Sequence, residues 1–135
     1  MRKRGLKFMS TPETAQNSPT FQYVRLKDFP VEQVNPLLDR QLVTGERSML
    51  ARIILRAGCN VPLHSHDNEQ ITYVLEGALK FQIQGQEIIV RGGEVLVIPS
   101  QVPHSAIALE DTVDLDIFCP PRADWLSGTD HYLRK

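Results

Sequence analysis

Three of the four histidines in the chain are spaced so that they could bind one metal ion. His64 and His66 are one residue apart, and in an extended strand such side chains point to the same face. Gln70 shares that parity, whereas Glu69 points the opposite way and is a poor candidate ligand. A third imidazole is expected from His104, which follows an apolar strand and a short turn. Neutral imidazole suits Zn, Fe, Ni, Mn and Cu alike, so the pattern predicts a transition-metal site without naming the ion.

The amide at position 70 decides the charge of this site. Gln70 would bind through a neutral carbonyl oxygen, so three histidines and one glutamine leave the double charge of a divalent ion uncompensated. We expect a strong Lewis acid that attracts an anionic substrate oxygen. Any one of these histidines alone would be interpreted as an ordinary core or surface residue. His131, near the C-terminus, is interpreted as a surface residue. The joint spacing of the other three argues against that interpretation.

A second group of polar residues follows near the end of the chain. Asp116 and Phe118 share one face of a predicted strand with Asp114, while Val113, Leu115 and Ile117 form an apolar face that should be a buried outer layer. A carboxylate facing the interior is costly unless it is paired or functional. Asp116 is therefore a candidate general acid or base, and Arg122 a candidate clamp for a substrate carboxylate. A salt bridge between Asp116 and Arg122 is an equally reasonable interpretation.

The elements that must position these residues are short strands. Glycine-containing turns break the chain after residue 20, and no stretch shows a sustained helical period, so the fold class is all-β. The regular spacing indicates a sandwich or small barrel. A short helical turn is possible only around Trp125 and Leu126. The predicted strands are 21–28, 39–44, 47–56, 70–76, 78–84, 87–91, 94–98, 104–110 and 112–119.

Length and composition predict one domain. The chain has 135 residues, of which 41% are hydrophobic and 23% charged. Residues 1–20 are predicted to be a disordered tail, 21–126 a single barrel domain and 127–135 a C-terminal tail. Cys59 and Cys119 form no CxxC pair and are interpreted as free thiols.

The net charge excludes some partners. A formal charge of −1 and an isoelectric point near 6.4 give no field that favours nucleic acid or an anionic membrane. No apolar run approaches the roughly 20 residues that cross a bilayer, so a cytoplasmic protein is expected.

The spacing of these residues resembles that of the cupin superfamily. Its first motif is G-x5-H-x-H-x(3,4)-E-x6-G and its second is G-x5-P-x-G-x2-H-x3-N. Gly58, His64, His66 and Gly77 match the first motif, and Gly93, Pro99 and His104 match the second. Gln70 stands where glutamate is usual, Gln101 where glycine is usual and Ala108 where asparagine is usual. The resemblance implies a small antiparallel double-stranded β-helix, the jelly-roll barrel of RmlC-like cupins.

Within that superfamily, the run from Asp116 to Trp125 beside the HxH-x3-Q pattern is similar to the KdgF-type cupins of pectin and alginate breakdown. Such enzymes open 4,5-unsaturated uronates to linear keto sugar acids. The resemblance covers roughly residues 35 to 126. It implies that one divalent ion (Zn, Ni, Mn or Fe) is held by His64, His66, Gln70 and His104, and that the catalytic pocket is lined by Asp116, Phe118 and Arg122.

Two other classes of function stay open. The same ligands could serve another metallo-cupin enzyme, such as a dioxygenase or a sugar isomerase, or a non-catalytic module that binds a small ligand. The partner expected under every one of these functions is a small molecule, and the KdgF-type resemblance implies an anionic sugar acid. A homodimer is expected, because the resemblance implies pairing through the outer sheets, which is common in small cupins, and because the predicted strand 21–28 could add to the sheet edge of a second copy.

Overall fold

The computed structural model describes residues 19–134, and the fold class predicted from the sequence is confirmed. Ten strands and one short α-helix follow a 3₁₀ helix at Leu26–Asp28. The strands are β1 Glu32–Asn35, β2 Leu38–Thr44, β3 Met49–Leu55, β4 Asn60–His64, β5 Glu69–Glu76, β6 Ala78–Ile83, β7 Gln86–Arg91, β8 Val95–Ile98, β9 His104–Ala108 and β10 Thr112–Cys119, and the helix α1 is Ala123–Ser127. None of the helices in this part of the chain is long and apolar enough to cross a bilayer.

The strands form two antiparallel sheets. The larger sheet has the order β1-β2-β3-β10-β5-β8, and the smaller has the order β4-β9-β6-β7. Strand β3 alternates strictly between buried and half-buried residues, because successive side chains of a strand point to opposite faces. Its buried residues join those of β6 in one apolar cluster, so the core lies between the two sheets.

The turn between β5 and β6 requires a glycine. Gly77 has a φ of +95°, in the region that L side chains rarely adopt. A Cβ atom at this position would overlap the backbone of Asp111 and Thr112. The close approach holds the end of β5 against the start of β10, and β10 carries two of the candidate pocket residues, Asp116 and Phe118.

One predicted strand is wrong. Residues 19–25 have no regular secondary structure, and a 3₁₀ helix occupies Leu26–Asp28. The aromatic residues that suggested a strand are exposed: Phe21 to 92% and Tyr23 to 67%. Aromatic and branched residues favour strands only where a partner strand and a packed face are available. The predicted tail over residues 1–20 stays a prediction, because residues 1–18 lie outside the described residues.

Two strands, β1 and β4, have no counterpart in the sequence prediction. Strand β1 is short and mostly polar, and β4 contains Pro62, which cannot donate a main-chain hydrogen bond. A short polar run and a segment interrupted by proline each indicate a loop rather than a strand.

The C-terminal segment 128–134, which the sequence sets apart from the barrel, is anchored to it in the structure. Asp130 is 1% exposed, and its carboxylate accepts a hydrogen bond of 2.6 Å from the fully buried guanidinium of Arg40. Leu133 is buried in the apolar cluster. Arg134 donates to Asp130 at 2.7 Å and to Glu32 at 2.7 Å. These contacts fix the segment across the edge of β1 and β2.

Candidate metal centre

Two paired strands and one loop bring the three candidate histidines together. His64 ends β4, His104 begins β9, and the two residues are directly opposite each other in the antiparallel register. His66 lies in the loop between β4 and β5. One potential ligand atom from each ring lies within 4.8 Å of those of the other two. The predicted convergence therefore occurs, although His66 reaches the site from a loop and not by the alternation of one continuous strand.

Each ring is oriented by its Nδ1 atom. The Nδ1 atoms pair with main-chain carbonyls two residues away: His64 with Pro62 at 2.7 Å, His66 with Asn68 at 3.0 Å and His104 with Val102 at 2.9 Å. A carbonyl oxygen can only accept a hydrogen bond, so each Nδ1 carries the proton. In a neutral ring the lone pair is then on Nε2.

Burial keeps these rings neutral. Desolvation lowers the pKa of His64 and of His66 to about 4, and the positive charge of Arg122 also lowers that of His66. The pKa of His104 is lowered by the same desolvation. All three residues therefore present unprotonated Nε2 atoms at neutral pH, which is the form that binds a metal ion.

The polar side-chain atoms around the three-histidine group are arranged in a way that suits a bound cation. The Oε1 atom of Gln70 lies 3.1 Å from Nε2 of His66, so two lone-pair atoms face each other. The Nε2 atom of His104 is buried and has no hydrogen-bond partner among the described residues. Such atoms are costly to bury unless a ligand satisfies them. The residues fit a divalent transition metal, which His64, His66, His104 and Gln70 would hold; the place of Gln70 among the ligands stays a prediction.

Strand β10 faces the same interior with its polar residues. Asp114, Asp116 and Phe118 are all less than 8% exposed, and Phe118 packs edge-on against the ring of His66 at 5.7 Å between centroids. The opposite face of β10 was expected to be a buried outer layer. It is half-buried in the single chain, and Ile117 is 38% exposed.

The two aspartates differ in their surroundings. Asp116 accepts a hydrogen bond of 2.7 Å from Thr72, yet burial raises its pKa to about 6. Burial and the neighbouring Asp116 raise the pKa of Asp114 well above its ordinary value. Its surroundings thus favour the protonated form of Asp114. The alternation of β10 correctly predicted that Asp114 faces the interior. It gave Asp114 no role, because alternation does not show which carboxyl groups have hydrogen-bond partners.

Arg122 pairs with Asp124 and not with Asp116. Its Nε and Nη2 atoms donate to the two carboxylate oxygens of Asp124 at 3.0 and 2.8 Å. The guanidinium lies 5.0 Å from the centre of the Phe118 ring and 4.7 Å from that of Trp125. The alternative salt bridge to Asp116 is therefore not the arrangement observed. Arg122 still faces the interior and is 2% exposed.

Tyr132 was missed by the sequence analysis and forms part of the site. Its ring stacks on His64 with 4.4 Å between centroids, and its hydroxyl accepts a hydrogen bond of 2.8 Å from Arg122. Trp125 also donates to this hydroxyl, at 3.1 Å. No local pattern around residue 132 signals these contacts, since they depend on the C-terminal segment folding back.

Three of the candidate ligand residues, β10 and the C-terminal segment line a cavity of about 50 Å³. Among the residues that line it are His64, Gln70, His104, Asp116, Phe118, Arg122 and Tyr132. The structure thus brings the predicted metal ligands and the predicted catalytic residues to one place. The catalytic roles of Asp116, Phe118 and Arg122 stay predictions.

Fold and site together define a class of protein: a small antiparallel jelly-roll barrel whose interior holds a three-histidine group that could bind a metal ion. The model of the cupin domain family matches residues 51–120, more than half of the chain. The chain therefore belongs to the cupin family.

Two proteins and one solved structure are among those similar to this chain. The pectin degradation protein KdgF of Dickeya dadantii is 29% identical over 100 residues, which cover 72% of this chain and 91% of that protein. An oxalate-binding protein of Thermotoga maritima is 30% identical over 82 residues, which cover 60% of this chain and 65% of that protein. The solved structure of KdgF from a Halomonas species has a TM-score of 0.74 and 27% identity, and the match covers 78% of this chain and 99% of that one. The resemblance to KdgF-type cupins is confirmed.

Proposed function

We propose that this protein is a metal-dependent enzyme that opens a 4,5-unsaturated uronate to a linear keto sugar acid. The observation that carries the proposal is the shared cavity, in which the imidazoles of His64 and His104 and the Gln70 amide lie beside the carboxyl of Asp116 and the guanidinium of Arg122. His66 adds a third imidazole to this group. The similarity to the pectin degradation protein KdgF supports this choice of substrate.

The charges in the cavity suit an anionic ligand. His64, His66 and Gln70 would contribute no negative charge to a bound divalent ion. The positive charge of Arg122 lies close enough to the three histidines to lower the pKa of each of them. With a divalent ion bound, a carboxylate entering this cavity would therefore meet a positive charge that the ligands leave uncompensated and that little solvent screens.

Each residue of the pocket has a distinct role in the proposed reaction. A bound metal ion would orient and polarise a substrate oxygen. Arg122 attracts the substrate carboxylate, and Phe118 packs on the sugar ring. Asp116, whose pKa is raised to about 6 by burial, exchanges a proton with the substrate as the ring opens, because a group titrating near neutral pH can both donate and accept.

We expect the C-terminal segment to move when a sugar acid enters. The cavity of about 50 Å³ has room for roughly four water molecules, and a sugar acid is larger. Tyr132 narrows the cavity, since it stacks on His64 and accepts a hydrogen bond from Arg122. Displacing Tyr132 would enlarge the cavity and release one of the hydrogen bonds of Arg122. The substrate carboxylate would take the place of the tyrosine hydroxyl.

The test is an ultraviolet assay on metal-loaded protein. Elemental analysis first establishes a stoichiometric ion, and the protein is then mixed with unsaturated galacturonate. Absorbance of the conjugated double bond should disappear faster than the spontaneous rate. Asp116→Asn should slow the reaction by roughly 10²- to 10⁴-fold while the ion stays bound, because the amide keeps the shape of the carboxyl but does not transfer its proton. A rate equal to the spontaneous one with the ion present would rule out this substrate.

The small volume of the cavity also favours a second candidate, a binding module for a small anion. One relative is named an oxalate-binding protein, and a compact dianion demands less space than a sugar. Calorimetry with oxalate distinguishes the two. A module of this kind would retain tight binding in the Asp116→Ala variant, and it would show no turnover of the uronate.

A further inference from the structure

We propose that Thr72 is a positioning residue that fixes the orientation of the Gln70 amide and couples it to Asp116. Thr72 is fully buried on β5, two residues after Gln70 and directly opposite Asp116 on β10. Neither the family motifs nor the candidate ligand set includes it. The inference concerns the metal centre, so it stands whichever substrate the protein uses.

A chain of hydrogen bonds with one direction links the three side chains. Nε2 of Gln70 donates to Oγ1 of Thr72 at 2.9 Å, and Thr72 donates to Oδ1 of Asp116 at 2.7 Å. A hydroxyl has a single proton to donate. Because that proton goes to the carboxylate, the threonine oxygen is left to accept, and the Gln70 NH₂ group is its donor.

The direction of this chain decides which end of the amide faces the histidines. With its NH₂ group on Thr72, Gln70 turns Oε1 toward Nε2 of His66, at 3.1 Å. A flipped amide would instead direct an N–H group at the point where the ion binds, and it would repel the ion. The amide is therefore prepared for metal binding by Thr72, as outer partners commonly orient metal ligands.

The same chain accounts for glutamine at position 70, where glutamate is usual in the family motif. A carboxylate at that position cannot donate to Thr72. It would then compete with Asp116 for the one hydroxyl proton, and one of two buried carboxylates would lose its partner. The side chains at positions 70 and 116 should thus be interdependent although they lie on different strands.

The first experiment compares Thr72→Val with Thr72→Ser by titrating the metal-free protein with Co²⁺ and recording its visible absorption. Valine keeps the shape but removes the hydroxyl, whereas serine retains it. We expect Thr72→Val to weaken Co²⁺ binding about 10-fold or more and to change the absorption band, because the oxygen ligand is lost or reoriented. Thr72→Ser should stay close to the unsubstituted protein. Equal affinity and an unchanged spectrum for the valine variant would overturn the proposal.

A second measurement tests the proposal independently, in case the Thr72→Val variant does not fold. Co²⁺ affinity is determined for Gln70→Glu, for Asp116→Asn and for the two together. In the double variant the amide introduced at position 116 can donate to Thr72, so the hydroxyl proton becomes free for the carboxylate at position 70 and the chain runs in reverse. This variant should bind about 3-fold or more tightly than the product of the two single effects predicts. Additive effects would show that the two positions are independent. A failure of the uronate assay would leave both measurements unaffected.

Discussion

Each histidine of the site uses one ring nitrogen to hold its orientation and leaves the other for a ligand. The Nδ1 contacts to Pro62, Asn68 and Val102 are all local, two residues away in the chain. The geometry of the metal centre is therefore set largely by the backbone of β4, the following loop and the start of β9. At the scale of single residues, the protonation of these rings governs when the site can bind.

The lowered pKa values predict that metal binding persists in mild acid. Imidazoles at their ordinary pKa of 6.5 begin to lose a metal ion to protons as the pH falls through that value. With the pKa of His64 and His66 lowered to about 4, affinity should change little between about pH 7 and pH 5 and then fall steeply toward pH 4. Competition with a chromophoric chelator across this range measures it.

The pH dependence of the free energy of unfolding of the metal-free protein reports less clearly on the protonation of these histidines. The histidines stabilise the native chain above pH 6.5, and this contribution is lost as the pH falls toward about 4. Asp116 acts in the opposite sense, since its raised pKa stabilises the native chain at low pH and this contribution is lost as the pH rises through about 6. The two effects oppose each other over the same range. A fall in metal affinity beginning at pH 6.5 would contradict the assigned pKa values.

At the scale of elements, β10 is the strand on which the site depends. It pairs with β3 on one side and β5 on the other, so its inward residues are fixed from both directions. Its alternation of apolar and polar residues made the strand and its faces predictable from the sequence. The tight turn at Gly77 holds its first residue, Thr112, against the end of β5.

Replacing Gly77 should destabilise the barrel more than replacing another glycine of similar conformation. Gly93 has a φ of +88°, and a Cβ atom there would meet nothing within 4 Å. Gly93→Ala should therefore cost only the backbone strain, about 1–2 kcal/mol. Gly77→Ala adds overlap with Asp111 and Thr112 and should cost about 3 kcal/mol or more. Denaturant unfolding of both variants makes the comparison, and equal costs would contradict the packing described.

The sequence predicts elements better than it predicts their distant partners. Alternation and turn glycines are local signals and were sufficient for the all-β class, and the spacing of the two family motifs added His104 to the pair His64 and His66. The pairing of Arg40 with Asp130 joins residues 90 positions apart, and Tyr132 reaches His64 by the same return of the chain. Such contacts depend on the folded topology, and no pattern around either residue indicates them.

At the scale of the whole molecule, the larger sheet has an exposed apolar outer face. Val95 and Val97 of β8 are 55% and 53% exposed, and they pair with Tyr73 and Ile71 of β5. Ile117 of β10 lies beside Ile71 on the other side. Adjacent strands thus present a continuous apolar surface, of the kind that a second copy covers in symmetric dimers.

We expect the protein to be a homodimer that pairs through this face. The edge-strand route suggested by residues 21–28 has lost its support, since they form no strand. Val95→Lys with Val97→Lys should give a monomer by light scattering, because charges would be buried without partners. Leu109→Lys, at a residue 44% exposed in the turn before β10, is the matched control and should stay dimeric. A monomeric unsubstituted protein would exclude the dimer.

Trp125 gives the molecule an optical reporter beside its own cavity. It is the single tryptophan of the chain, and its indole N–H donates to the Tyr132 hydroxyl while its ring packs 5.0 Å from that of Phe118. Any ligand that displaces Tyr132 must change the polarity and the quenching around this one fluorophore. Rapid mixing with ligand would then record the opening of the C-terminal segment in real time, in unlabelled protein and separately from turnover.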